Sequence, residues 1–202
     1  MIDSFRTIKS STFSEIKITR SKFISQAFPV SSHQEISDKI KEVKKEYYDA
    51  SHHPYAYRLG IDKNEFKFSD DGEPSGSSGK PILESIDKLE LTDVMVIVTR
   101  YFGGTKLGVG GLRRAMSEAA DLCLSKAILL EKLITEEMNI EFDYTFMNVV
   151  MNLIESEKIK LSGNTSVEKC KLTLEVRLSK IEKLKTDLVS LTNGGIKIIS
   201  KF

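Results

Sequence analysis

Residues Arg100 to Ala115 read R-Y-F-G-G-T-K-L-G-V-G-G-L-R-R-A. This stretch constrains the fold more than any other. It follows an apolar run, Val94-Met95-Val96-Ile97-Val98, whose length and β-branched content predict a buried strand. It precedes Leu112, Ala115, Met116, Ala119 and Cys123, which recur at helical spacing. Between strand and helix lie Gly103, Gly104, Gly108, Gly110 and Gly111, with the cations Lys106, Arg113 and Arg114. Glycine lets a chain turn sharply and lets a ligand approach backbone N–H groups. The start of a helix adds free N–H donors and the positive end of a dipole. That combination suits an anion, most often a phosphate.

Two familiar phosphate motifs fail here. A Walker A loop needs Lys-Ser/Thr after its second glycine, and after Gly108 comes Val109. The dinucleotide pattern needs a third glycine where this chain has Arg113. An ordinary glycine turn with no ligand remains the bland alternative.

The 202 residues suffice for one large domain or two small ones. A net charge of +1 means that any basic footprint must be local. Cys123 and Cys170 match no disulfide or zinc spacing. No apolar run reaches the ~18 residues of a membrane helix. The opening M-I-D-S-F-R-T-I-K-S lacks the apolar core of a secretory signal, so the expected location is the cytoplasm, with no membrane partner.

Alternation over 1–30 predicts two or three antiparallel strands. Ile36, Ile40, Val43 and Tyr47 mark an amphipathic helix over Ser32–Tyr48. Pro54–Gly60 and Glu65–Ser69 read as a strand pair. A short helix is expected over Ile82–Leu89, and the helix from Leu112 is expected to end near Leu130. Beyond it the pattern reads strand (Glu136–Phe142), helix, strand (Lys158–Leu161), a turn at Ser162-Gly163-Asn164, strand (Lys171–Leu178), helix and strand (Ile196–Ser200). That β-α-β-β-α-β order is the ferredoxin-like motif. The fold class is therefore α+β, with domains expected at 1–134 and 135–202.

A second polar loop, Asp70 to Pro81, reads D-D-G-E-P-S-G-S-S-G-K-P. Asp70, Asp71 and Glu73 have the chemistry to hold Mg²⁺. Ser75, Ser77 and Lys80 add polar groups. A serine nucleophile would need a neighbouring base, and the elbow pattern Gly-x-Ser-x-Gly is absent. His52 and Arg58 are candidates to face the same groove. Arg58 has a structural alternative, an ion pair with Asp70 or Asp71. Tyr101 and Phe102 flank the cationic loop; Phe102 is expected in the core and Tyr101 is left open. The phosphate-binding set is thus Arg58, Lys80, Arg100, Tyr101, Gly103, Gly104, Lys106, Gly110, Gly111, Arg113 and Arg114. The polar cleft adds His52, Asp70, Asp71, Glu73, Ser75 and Ser77.

The segments Tyr55-Ala56-Tyr57-Arg58, Asp70 to Gly76, Gly79-Lys80-Pro81-Ile82-Leu83 and Thr99 to Leu112 closely resemble the Impact/YigZ family, over roughly 15–130. Ser21-Lys22-Phe23-Ile24 is similar to that family's first strand. The remainder resembles, more weakly, the small domain of bacterial members. The resemblance implies a first domain like the second domain of a small-subunit ribosomal protein. It implies a second domain like the last domain of elongation factor G. It also implies a role in translation, with RNA, the ribosome or a protein of the translation apparatus as partner. The eukaryotic members regulate translation through the activator of a translation-factor kinase. The partner-binding domain that precedes this region in them is expected to be missing here. His53 and Pro54 stand where the family pattern has Asn and Cys, which argues against a catalytic cysteine there. The resemblance brings no enzyme activity and no cofactor. The competing expectation is a Mg²⁺-dependent enzyme acting on a small phosphorylated or nucleotide-like substrate, with His52 as acid or base.

Overall fold

The computed structural model describes residues 3–166 and 170–200. The chain forms two compact units, Phe5–Lys132 and Leu133–Phe202 together with Met1–Ser4.

In the first unit a five-stranded antiparallel sheet has the order β2-β3-β6-β4-β5, built from β2 (Thr12–Ile18), β3 (Ser21–Pro29), β4 (Tyr55–Leu59), β5 (Glu65–Ser69) and β6 (Val94–Tyr101). The central strand β6 is buried along seven of its eight residues, so both of its faces are covered, which explains the continuous apolar run rather than an alternation. Val94, Val96 and Val98 pack against α2 (Gly79–Lys88) and α3 (Gly108–Ser125). Met95 and Ile97 pack against α1 (His33–Glu46) on the opposite face. Successive strand residues point to opposite faces, so Arg100 falls on the same face as Val98, toward α2 and α3.

Several boundaries differ from the sequence expectation. α2 begins three residues before Ile82, because Asp70 caps its start from the preceding loop. α3 begins at Gly108 rather than Leu112, so three of the glycines form its first turn. It ends at Ser125, well short of Leu130; the next apolar residues form a strand, β7 (Leu129–Leu133), which pairs with β1 (Ser4–Ile8) in a two-stranded sheet.

The second unit has β8 (Thr135–Phe142), α4 (Met147–Ser156), β9 (Lys160–Ser166), β10 (Cys170–Arg177), α5 (Ile181–Leu191) and β11 (Ile196–Ser200). Its antiparallel sheet has the order β11-β8-β10-β9, the split arrangement expected of the ferredoxin-like motif. The turn expected at 162–164 is instead part of β9, whose pairing with β10 carries a register shift at Thr173/Leu174. Met138, Ile140, Phe142, Leu172, Leu174 and Val176 form one sheet face under Val150, Ile154, Leu184 and Leu188.

Candidate functional site

The two polar loops meet. The end of β6, the 102–107 loop, the first turns of α3 and the Asp70–Ser78 loop surround a cavity of about 350 Å³. Glu73, Pro74, Arg100, Phe102, Lys106, Leu107, Gly108, Val109 and Leu112 line it.

Arg100 is its buried cation, only 6% exposed. Its Nη1 donates to Glu73 Oε1 at 2.6 Å. The guanidinium carbon lies 5.7 Å from the ring centroid of Phe23 and 5.4 Å from that of Phe102, both within cation–π range. Its buried Nε finds no acceptor among the described residues. Lys106 is exposed, lines the same cavity and forms no ion pair among the described residues.

The glycines of the loop differ in their reasons. A Cβ on Gly103 would come within 2.1 Å of the Arg20 carbonyl group, so glycine there lets the loop lie against the β2–β3 turn. A Cβ on Gly110 would meet nothing within 4 Å, and its φ lies outside the left-handed region. Among the described residues no contact requires glycine at 110, although glycine in a helix costs about 0.5–1 kcal/mol against alanine. Among the described residues no side chain caps the start of α3. Its first N–H groups border the cavity at Gly108 and Val109.

The other expected site residues separate into local tasks. Asp70 accepts from the backbone N–H groups of Gly76, Ser78 and Gly79 at 2.8–2.9 Å and so closes the loop onto α2. Asp71 accepts from Lys44 Nζ at 2.7 Å and from the His53 N–H at 2.8 Å. Burial pushes the Asp71 carboxyl up, but Lys44 and that N–H outweigh it and hold the pKa below its ordinary value. Of the three acids only Glu73 lines the cavity, and it is held by Arg100. Among the described residues no cluster of three or more His, Cys, Asp or Glu is placed to hold a metal.

His52 meets the Asp71 carbonyl through Nδ1 at 2.8 Å, and its backbone bridges to Arg100. His53 is buried, with Nε2 3.1 Å from the Tyr47 carbonyl; burial pushes its pKa down. Arg58 pairs with Asp87 of α2, not with Asp70 or Asp71, and donates to the Lys63 carbonyl at 2.5 Å. Arg113 donates to the Gly76 carbonyl at 2.5 Å and lies 3.3 Å from Glu84, bracing one loop against the other. Arg114 lines a separate depression with Ser117, Glu118 and Asp121. Lys80 and Ser75 are exposed outside the cavity lining, and Ser77 is fully buried, donating to the Pro74 carbonyl at 2.5 Å. Tyr101 donates to Asp49 at 2.8 Å, and that bond, with burial, raises its pKa to about 12. Phe102 is not in the core: it is 47% exposed at the cavity mouth. The apolar walls Pro74, Leu107, Val109 and Leu112 were not among the expected site residues. An exposed Val109 flanked by glycines was the available signal.

The Impact N-terminal domain model matches residues 19–124, which contain every residue of this cavity. The chain belongs to the Impact family. The Impact family member YvyE of Bacillus subtilis is 34% identical over 96% of this chain and 89% of its own length. The Impact family member YigZ of Escherichia coli is 25% identical over 91% of each. A solved structure described only as a hypothetical protein superposes over 100% of this chain and 99% of its own, with a TM-score of 0.71 at 23% identity, which establishes the shared two-domain α+β fold. This Impact protein has no helix among its described residues that is long and apolar enough to cross a membrane.

Proposed function

We propose that this Impact protein is a translation-associated factor that binds RNA, or the ribosome, through the cavity at the start of α3. The observation that carries the reading is the conjunction at one mouth of exposed Lys106, exposed Phe102 and a helix start, at Gly108 and Val109, that no side chain caps among the described residues. Unpaired N–H groups and a lysine neutralise a phosphate. An exposed ring beside them offers a stacking surface for a base. The resemblance to translation regulators supports the same reading, and a protein of the translation apparatus fits it as partner. Arg113 and Arg114 contribute little, since one braces Gly76 and the other lines a different depression.

The test is binding of a labelled single-stranded RNA and of purified ribosomal subunits at two salt concentrations. Wild type is compared with a Phe102→Ala/Lys106→Ala variant. Salt-sensitive binding that the variant loses supports the reading; no binding by wild type at low salt ends it.

A cavity of about 350 Å³ is also of ligand size, since such sites run roughly 300–1,000 Å³. The second reading is therefore an enzyme site for a small phosphorylated or nucleotide-like substrate. A Mg²⁺ ion there would find Glu73 alone among the three acids of the loop. A saturable rise in melting temperature with one phosphate ester, and no RNA binding, would favour it.

A further inference from the structure

We infer that the cavity takes one unpaired nucleotide, base inward and phosphate at the rim, so that this protein distinguishes single-stranded from duplex RNA. The inference rests on the RNA-binding reading and specifies its ligand. The inner side of the cavity is closed by Leu112, Arg100 and Glu73, which are 4%, 6% and 9% exposed. Its outer side is formed by exposed Phe102, Lys106 and Val109. The volume of about 350 Å³ lies at the low end for ligand sites, room for one nucleotide and not for a run of strand.

The lining divides in the same sense. Pro74, Leu107, Val109, Leu112 and the Phe102 ring give an apolar slot suited to a planar base. Arg100 at its floor uses Nη1 on Glu73, while its buried Nε has no acceptor among the described residues. Guanidinium and carboxylate together offer a donor and an acceptor to a base edge. The anionic part of a nucleotide meets the rim, where Lys106 and the N–H groups at the start of α3 lie. Gly108 leaves open space there, since a Cβ on it would meet nothing within 4 Å. The charge balance agrees: Arg100 and Glu73 cancel, leaving Lys106 and the helix start, about half a positive charge, to face one phosphate. In a duplex the bases are stacked inside and cannot enter such a slot without being extruded, which costs a few kcal/mol per base.

The experiment compares three labelled probes of equal length at low and at physiological salt: a hexanucleotide RNA, an abasic hexamer with the same backbone charge, and the RNA paired with its complement. Stacking of one base on an aromatic ring corresponds to about tenfold or more in affinity. The expected result is that the hexanucleotide binds at least about tenfold more tightly than either other probe. Phe102→Leu removes that difference, whereas Phe102→Tyr keeps it. Equal affinity for RNA and abasic hexamer, or for single strand and duplex, overturns the inference and leaves the RNA reading standing. Failure of every probe to bind at low salt overturns both.

Discussion

Glu73 and Arg100 are 4% and 7% exposed at their side chains, and the hydrogen bond between them is 2.6 Å long. A buried pair of this kind is worth little over an apolar substitute, but removing one partner strands the other charge at a cost of about 3–5 kcal/mol. Glu73→Ala is therefore expected to destabilise the protein by about 3 kcal/mol, measured by urea unfolding. The double replacement Glu73→Leu/Arg100→Met should recover most of that loss and still abolish RNA binding. Recovery of binding in the double variant would remove Arg100 from the site.

At the same scale His53 and Asp71 contribute to the response to pH. Burial lowers the His53 pKa below 6.5, so the folded protein prefers the neutral imidazole. The unfolded chain then takes up a proton first, and stability that is full above pH 6.5 is lost as pH falls below it. Asp71 is likewise held below 3.8, so its contribution is present above that value and lost below it. Melting temperatures from pH 8 to pH 5 should fall for wild type, with a shallower fall for His53→Gln. An identical slope in the two proteins would show that His53 is not the titrating group.

Among the elements, α2 and α3 depend on contacts supplied by loops. Asp70 takes the backbone N–H groups of Ser78 and Gly79 at the start of α2 and that of Gly76 in the loop before it. Its replacement by Ala is expected to cost about 2 kcal/mol, the upper range for a lost helix cap. Gly103→Ala should cost at least as much, since its Cβ would fall 2.1 Å from the Arg20 backbone and displace either the cationic loop or the β2–β3 turn. Calorimetry of both variants checks this. A Gly103→Ala protein as stable as wild type would mean that the loop can lie elsewhere.

These elements also mark how far the sequence could be read. β6 was legible because five consecutive apolar residues buried on both faces leave one interpretation, and Leu112 to Cys123 gave α3 its face. The first turn of α3 was not legible, because Gly108, Gly110 and Gly111 read locally as loop, whereas the structure uses them as helix. β7 was hidden because Leu129, Leu130 and Leu133 continue a helical spacing and only pairing with β1 makes them a strand. That the two polar loops carry the lining of a cavity was legible, and their pairings were not. Nothing local ties Glu73 to Arg100, 27 residues later, or Arg58 to Asp87, 29 later. Sheet register and helix packing decide those partners, and they turned Phe102 outward.

For the whole molecule the neutral balance, a net charge of +1, limits what the site can do. Binding to a polyanion weakens with salt by nearly one power of concentration per phosphate contacted. With Lys106 and the α3 start as the principal unpaired positive groups of the cavity, the expected slope of log affinity against log salt is about −1 to −2, far below that of a protein coating a duplex. The cores tell where this binding should reside. The two clusters that flank the five-stranded sheet draw only on residues between Ile8 and Leu129, and the third only on residues from Met138 to Ile198. Each unit thus has a core cluster of its own among the described residues, so Phe5–Lys132 is expected to fold alone with a cooperative transition. That fragment should bind single-stranded RNA within about threefold of the full chain and with the same salt slope. A slope reduced by one or more in the fragment would mean that Leu133–Phe202 contacts phosphate as well. A folded fragment that binds no RNA while the full chain does would move the nucleic-acid surface away from the α3 cavity altogether.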